Sequence, residues 1–97
     1  MPSYIILVRW TSQGLQKIKE SASRLEAGRK AFEAAGIKLK AFYMVMGQYD
    51  MVNIVEAPDD ATLARALLNL ASQGNLQTES LRAFTEDEYK KIISAIG

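Results

Sequence analysis

The sequence predicts an α+β fold with the element order β-α-β-β-α-β and one more helix at the C-terminus. Three observations predict it. Tyr4-Ile5-Ile6-Leu7-Val8 is a continuous apolar run, the pattern of a central strand buried on both faces. Two β-rich runs, Ile37 to Met46 and Met51 to Glu56, flank Gly47-Gln48-Tyr49-Asp50. That tetrapeptide has hairpin-loop chemistry, since glycine tolerates positive φ and aspartate bonds its own backbone locally. Apolar residues at helical spacing lie on both sides of the hairpin. The order is that of the split β-α-β, or ferredoxin-like, arrangement. It implies an antiparallel four-stranded sheet in the order 4-1-3-2, with both long helices on one face.

Each element has its own signal. Trp10 ends the first strand, and Thr11 is placed to cap a helix expected from about Ser12 to Ala35. Leu15, Ile18, Ala22, Leu25 and Phe32 mark its apolar stripe. Ser23-Arg24-Leu25-Glu26 matches a capping box, so a break and restart is expected near Ser21; Gly36 is the stop. Pairing across the hairpin is expected to set Met46 opposite Met51, Met44 near Asn53 and Phe42 near Val55. Pro58 ends the third strand, and Asp59 or Asp60 caps a helix whose inner face is Leu63, Leu67 and Leu70, stopped by Gly74. Thr78 to Phe84 alternates as a fourth strand. Thr85-Glu86-Asp87-Glu88 is a second capping box, opening a short helix through Tyr89, Ile92, Ile93 and Ile96.

Composition narrows the function. Ninety-seven residues are one domain's worth of chain, expected to span 1–97 without a linker or repeat. A chain this short buries roughly 60 to 70% of its surface, so helices on one sheet face are about what it can fill. Twelve basic residues against 11 acidic ones give a net charge of +1, and the basic residues are scattered. Nucleic acid and membrane surfaces are therefore not expected partners. With no Cys and no His, disulfides, Cys/His zinc sites, His-ligated haem, Ser-His-Asp triads and cysteine nucleophiles are excluded. No cofactor is expected, and no metal beyond a hard cation held by carboxylates and carbonyls. No leader or membrane-length apolar run is evident, so a cytoplasmic location is the expectation.

Alternation divides the sheet into two expected faces. One carries Lys38, Lys40, Phe42, Met44, Asn53, Val55, Thr78, Ser80, Arg82 and Phe84; the other carries Leu39, Ala41, Tyr43, Val45, Val52, Ile54, Leu81 and Ala83. The second is the cleaner apolar set and is expected to lie under the helices. The first strand is apolar on both faces and leaves its own assignment open. The mixed face is too apolar to stay wet, so a homodimer closing sheet on sheet, or a higher assembly built from it, is expected. The enclosed space would be lined by Asn53, Ser80, Arg82 and Lys40.

Candidate chemistry falls into groups, each with a plainer structural alternative. Tyr49 and Asp50 are either a proton-transfer pair or a packed aromatic beside a loop-bonding carboxylate. Arg82, with Asn53 and Lys40, is suited to grip a carboxylate or enolate; equally, these groups satisfy one another and Glu79 or Glu56 across a dimer. Trp10 and Tyr43 are candidate ligand contacts, or core and interface aromatics. Glu56 and Glu79 either share a proton or cation or reach water separately. Met44, Met46 and Met51 read as adaptable packing.

With this layout the chain resembles the GYD domain family, within the dimeric α/β-barrel superfamily. The resemblance rests on Gly47-Gln48-Tyr49-Asp50, Val8-Arg9-Trp10-Thr11, Lys40-Ala41-Phe42-Tyr43, Val55-Glu56-Ala57-Pro58-Asp59-Asp60, Thr78 to Thr85 and Glu88-Tyr89. It covers essentially the whole chain. One departure is Ala22, where this type usually has a proline after the first-helix serine. The resemblance implies a dimeric barrel but no established activity, because the family is functionally uncharacterised; the wider superfamily spans cofactor-independent monooxygenases, haem enzymes, isomerases and ligand sensors, a breadth that warns against reading function from fold. Three readings follow: a homo-oligomeric small-molecule-binding protein with a pocket between sheet faces; a cofactor-independent monooxygenase or isomerase acting on a small aromatic or keto compound; and a structural assembly unit.

Overall fold

The computed structural model describes residues 1–97. The elements run β1 (Ser3–Trp10), α1 (Ser12–Gln16), a 3-10 turn (Ile18–Glu20), α2 (Ser21–Ala34), β2 (Lys38–Met44), β3 (Met51–Glu56), α3 (Asp60–Ala71), β4 (Leu76–Ala83) and α4 (Glu86–Ser94). The strands form one antiparallel sheet of order β2-β3-β1-β4, the ferredoxin-like order that the sequence predicts.

The first helix is not continuous. Thr11 caps α1, its Oγ1 accepting from the Gly14 amide at 3.1 Å and donating to the Gly74 carbonyl at 2.5 Å. The chain then breaks at Lys17 and restarts at Ser21, close to the expected place. The capping box read at Ser23 is a correction: Ser23 lies inside α2. The break is held instead by Arg24, whose guanidinium donates to the carbonyls of Lys17 (3.0 Å) and Gly14 (3.3 Å), adding to the backbone bonds that these carbonyls accept from Glu20 and Lys17. Gly14 is there because nothing larger fits, since a Cβ at that position would lie 2.3 Å from the Asn75 carbonyl oxygen. Leu15 and Ile18, expected on the buried stripe, are 54% and 38% exposed. The other caps fall where expected, with Asp59 on α3 and the Thr85–Glu88 capping box on α4.

The hairpin register differs by two residues from expectation. Met44 stands opposite Met51 and Phe42 opposite Asn53, so the loop spans 45–50. Its last residue is tied to β1 rather than folded into a tight turn. The Asp50 amide donates to the Val8 carbonyl at 2.8 Å, and its carboxylate accepts from the Trp10 amide at 3.0 Å. A bulge between Leu39 and Ala41 makes Lys40 the extra residue of β2.

The largest correction concerns the faces. Tyr4, Ile6, Val8, Met51 and Val55 are buried with Ile37, Ala57, Leu63 and Leu67, so the side of the sheet under the helices is the mixed one. By strand register it also carries Phe42, Asn53, Thr78, Ser80 and Arg82. The apolar set Ala41, Tyr43, Val52, Ile54, Leu81 and Ala83, joined by Ile5 and Leu7, lies on the face without helices. β1 and β2 run parallel with antiparallel β3 between them. The side that receives the crossover helix is set by the right-handedness of such connections, a property of backbone twist that is blind to which face is greasier.

Candidate functional site

The sheet separates the residues that the sequence proposes as one site. Tyr49 lies on the helix-free side, where its hydroxyl donates to the Glu79 carboxylate and the Arg9 guanidinium sits 4.7 Å from its ring centroid. Arg9 also donates to the Gln48 carbonyl at 2.6 Å, so the hairpin loop is strapped to β1 and β4 at one end of the bare face. Accepting the phenol's hydrogen, Glu79 raises the Tyr49 pKa above its ordinary value. Tyr49 and Asp50 share no hydrogen bond, because Asp50 is committed to the β1 backbone. Tyr43 is on the same bare face and 60% exposed. Lys40 pairs with Glu56 at 3.8 Å while Glu79 holds Tyr49, so of the two alternatives for Glu56 and Glu79 the structure has them engaged separately.

Asn53, Ser80 and Arg82 stand on the other side. Arg82 makes no salt bridge to Glu79 or Glu56. Its guanidinium lies 4.5 Å from the Phe84 ring centroid and 5.7 Å from that of Tyr4, and it donates to the carbonyls of Ser3 (3.3 Å) and Ala83. Beside it the Tyr4 hydroxyl donates to Asp60, a link that raises the Tyr4 pKa and that sequence reading misses, since the partners are 56 residues apart. Ser80 is exposed near the edge, opposite Ile6. Trp10 packs against the core cluster, and its indole nitrogen is buried without a protein partner.

Asn53 belongs to a concave feature. α2 packs on β2 and α3 on β4, leaving a groove of about 400 Å³ above the central strands. Ile6, Val8, Phe42 and Met51 form its apolar floor beside Asn53 and Thr78. The bare face opposite is flat and apolar, with Ile5, Leu7, Val52 and Ile54 only half-buried and Leu81 43% exposed. The groove and the uncovered sheet face thus lie on opposite sides of the sheet.

Comparison with known proteins agrees with this architecture. The model of the GYD domain matches residues 4–93. A Thermus thermophilus protein named "Glutamine synthetase and cystathionine beta-lyase binding protein" is 40% identical over 84 residues, spanning 86% of this chain and 88% of that one. The crystal structure of TTHA0845, also from Thermus thermophilus, superposes with a TM-score of 0.55 at 25% identity, over 88% of this chain and 95% of that one. No helix is long and apolar enough to cross a membrane.

Proposed function

The chain belongs to the GYD domain family, and on that premise we propose that it is a cytoplasmic protein-binding module that works as a homodimer closed through its bare sheet face. The observation that carries this reading is the face itself. Ile5, Leu7, Val52, Ile54, Tyr43 and Leu81 form one apolar surface with no helix over it. Fully burying an exposed aliphatic side chain gains about 1.5–3 kcal/mol, the half-buried ones here gain part of that, and a two-fold axis presents every one of them twice. The reading also draws on the Thermus relative, whose name makes it a binder of other proteins. The proposed partner class is accordingly a metabolic enzyme such as glutamine synthetase or cystathionine beta-lyase.

A ligand held between paired sheets would meet Arg9, Tyr49 and Glu79 rather than Asn53 and Arg82, which lie across the sheet. Proton-transfer chemistry gains little from the geometry. The Tyr49 pKa is raised, away from neutrality, and Asp50 turns one carboxylate oxygen to the Trp10 amide and shares no hydrogen bond with Tyr49.

Sedimentation velocity across a dilution series tests the dimer. Wild type is expected at twice the chain mass, and Ile54→Asp at the chain mass with an unchanged circular dichroism spectrum. A wild type that remains a folded monomer at high concentration overturns the reading. Co-elution with purified glutamine synthetase or cystathionine beta-lyase tests the partner class separately.

A further inference from the structure

The groove between α2 and α3 carries charge of one sign. Its lining includes Arg24, Arg29 and Arg65 and no Asp, Glu or Lys. Arg29 is partly neutralised by Glu26 at 3.7 Å. The other two make no ion pair within 4 Å, although Arg65 lies near enough to Asp59 to help lower its pKa. Arg24 is held in place by two backbone carbonyls, which fix its position without cancelling its charge. Arg65, on α3, makes neither an ion pair nor a side-chain hydrogen bond. On the floor, the Asn53 side chain likewise makes no hydrogen bond within the chain. An apolar hollow of about 400 Å³ with arginines around it and the amide side chains of Asn53, Asn69 and Gln73 unpaired lies within the size range of small-molecule sites.

We propose that this groove binds a small amphipathic organic anion. An apolar chain or ring lies against the partly exposed Phe32, Leu39, Phe42 and Leu70, above the buried Ile6 and Val8, and its carboxylate pairs with Arg24 and Arg65. Guanidinium recognises carboxylate in bidentate fashion, and the pairing strengthens beside apolar walls that exclude water. The site is on the opposite side of the sheet from the dimer surface and does not depend on it. The C-terminal helix is a poorer occupant. None of its residues lines the groove, and with Glu86 paired to Lys90 at 3.0 Å and Glu88 engaged in its cap, α4 offers the arginines no free cluster of carboxylates.

Titration of the full chain with decanoate and with decanol, followed by calorimetry and native mass spectrometry, tests the proposal. One decanoate is expected per chain, with decanol at least about tenfold weaker. Arg65→Ala is expected to weaken decanoate about tenfold and leave decanol and the unfolding midpoint unchanged. Gly28→Leu, at a groove-lining helix position where a Cβ meets nothing within 4 Å, is expected to abolish both ligands while the protein stays folded. Equal affinity for the two ligands, no binding of either, or decanoate binding indifferent to both variants overturns it. Binding that emerges only in Ile92→Glu also overturns it, because the groove is then filled by the C-terminal helix.

Discussion

Both faces of the sheet carry apolar side chains, and the two meet different fates. Under the helices, Ile6 and Val55 are almost wholly buried, and polar Asn53, Ser80 and Arg82 share their side. On the other face, Ile5 and Leu7 alternate with them along the same strand, yet no element of the chain covers them. The cleaner hydrophobic pattern belongs to the uncovered face. Apolarity marks a surface that leaves water; it does not name the layer that displaces the water.

Substitution along β1 breaks or sharpens that contrast most directly. Ile6→Ala is expected to cost about 2–5 kcal/mol in urea unfolding, because it opens a cavity in the packed side. Ile5→Ala, measured at a dilution that favours the monomer, is expected to cost less than about 1 kcal/mol. Equal costs would mean that one chain buries both faces. Next in size, Gly14→Ala sets a Cβ 2.3 Å from the Asn75 carbonyl oxygen and is expected to cost about 1–3 kcal/mol by shifting the junction that holds α1 to the α3–β4 loop.

Thr85→Ala removes the α4 cap, worth about 1 kcal/mol of helix stability. No residue of α4 is buried, so hydrogen exchange should rise over 86–94 while the global midpoint stays put. The smallest expected effect is with pH. Amides at the helix starts hold Asp59 and Glu88 below the ordinary carboxylate range, so their contribution is full above that range and fades as pH falls through the lowered folded values. Carboxylate partners raise Tyr4 and Tyr49, so theirs is full below the ordinary phenol range and fades as pH rises through the raised values. A stability profile flat between about pH 5 and about pH 9, with gentle losses outside it, is the expected result in chemical denaturation.

Element order, strand order and most caps were legible because each rests on residues adjacent in sequence. Thr11, Asp59 and Thr85 act on amides three residues away. The hairpin register was not legible. The loop closes through the Val45 amide on the Asp50 carbonyl, with Met44 opposite Met51, while Asp50 also bonds β1 some 40 residues back, a contact that no local pattern carries. The break after α1 was legible in place but not in cause, since Arg24 holds it from inside α2. Of the candidate site residues, Tyr49 and Asp50 were correctly seen as loop residues, but their partners Glu79 and Trp10 come from other strands. Arg24 and Arg65 escaped attention because they are 41 positions apart and meet only around a groove framed by two helices.

Sequence alone determined the α+β class, the split β-α-β topology and the presence of an apolar sheet face with nothing of this chain to cover it, because periodicity, caps and turn chemistry are local. Only the tertiary structure decided which face that is, and that Asn53 and Arg82 lie across the sheet from Tyr49 and Tyr43. A strand apolar on both sides is compatible with either assignment, and the choice falls to the handedness of the β1–β2 crossover, which no side-chain pattern encodes.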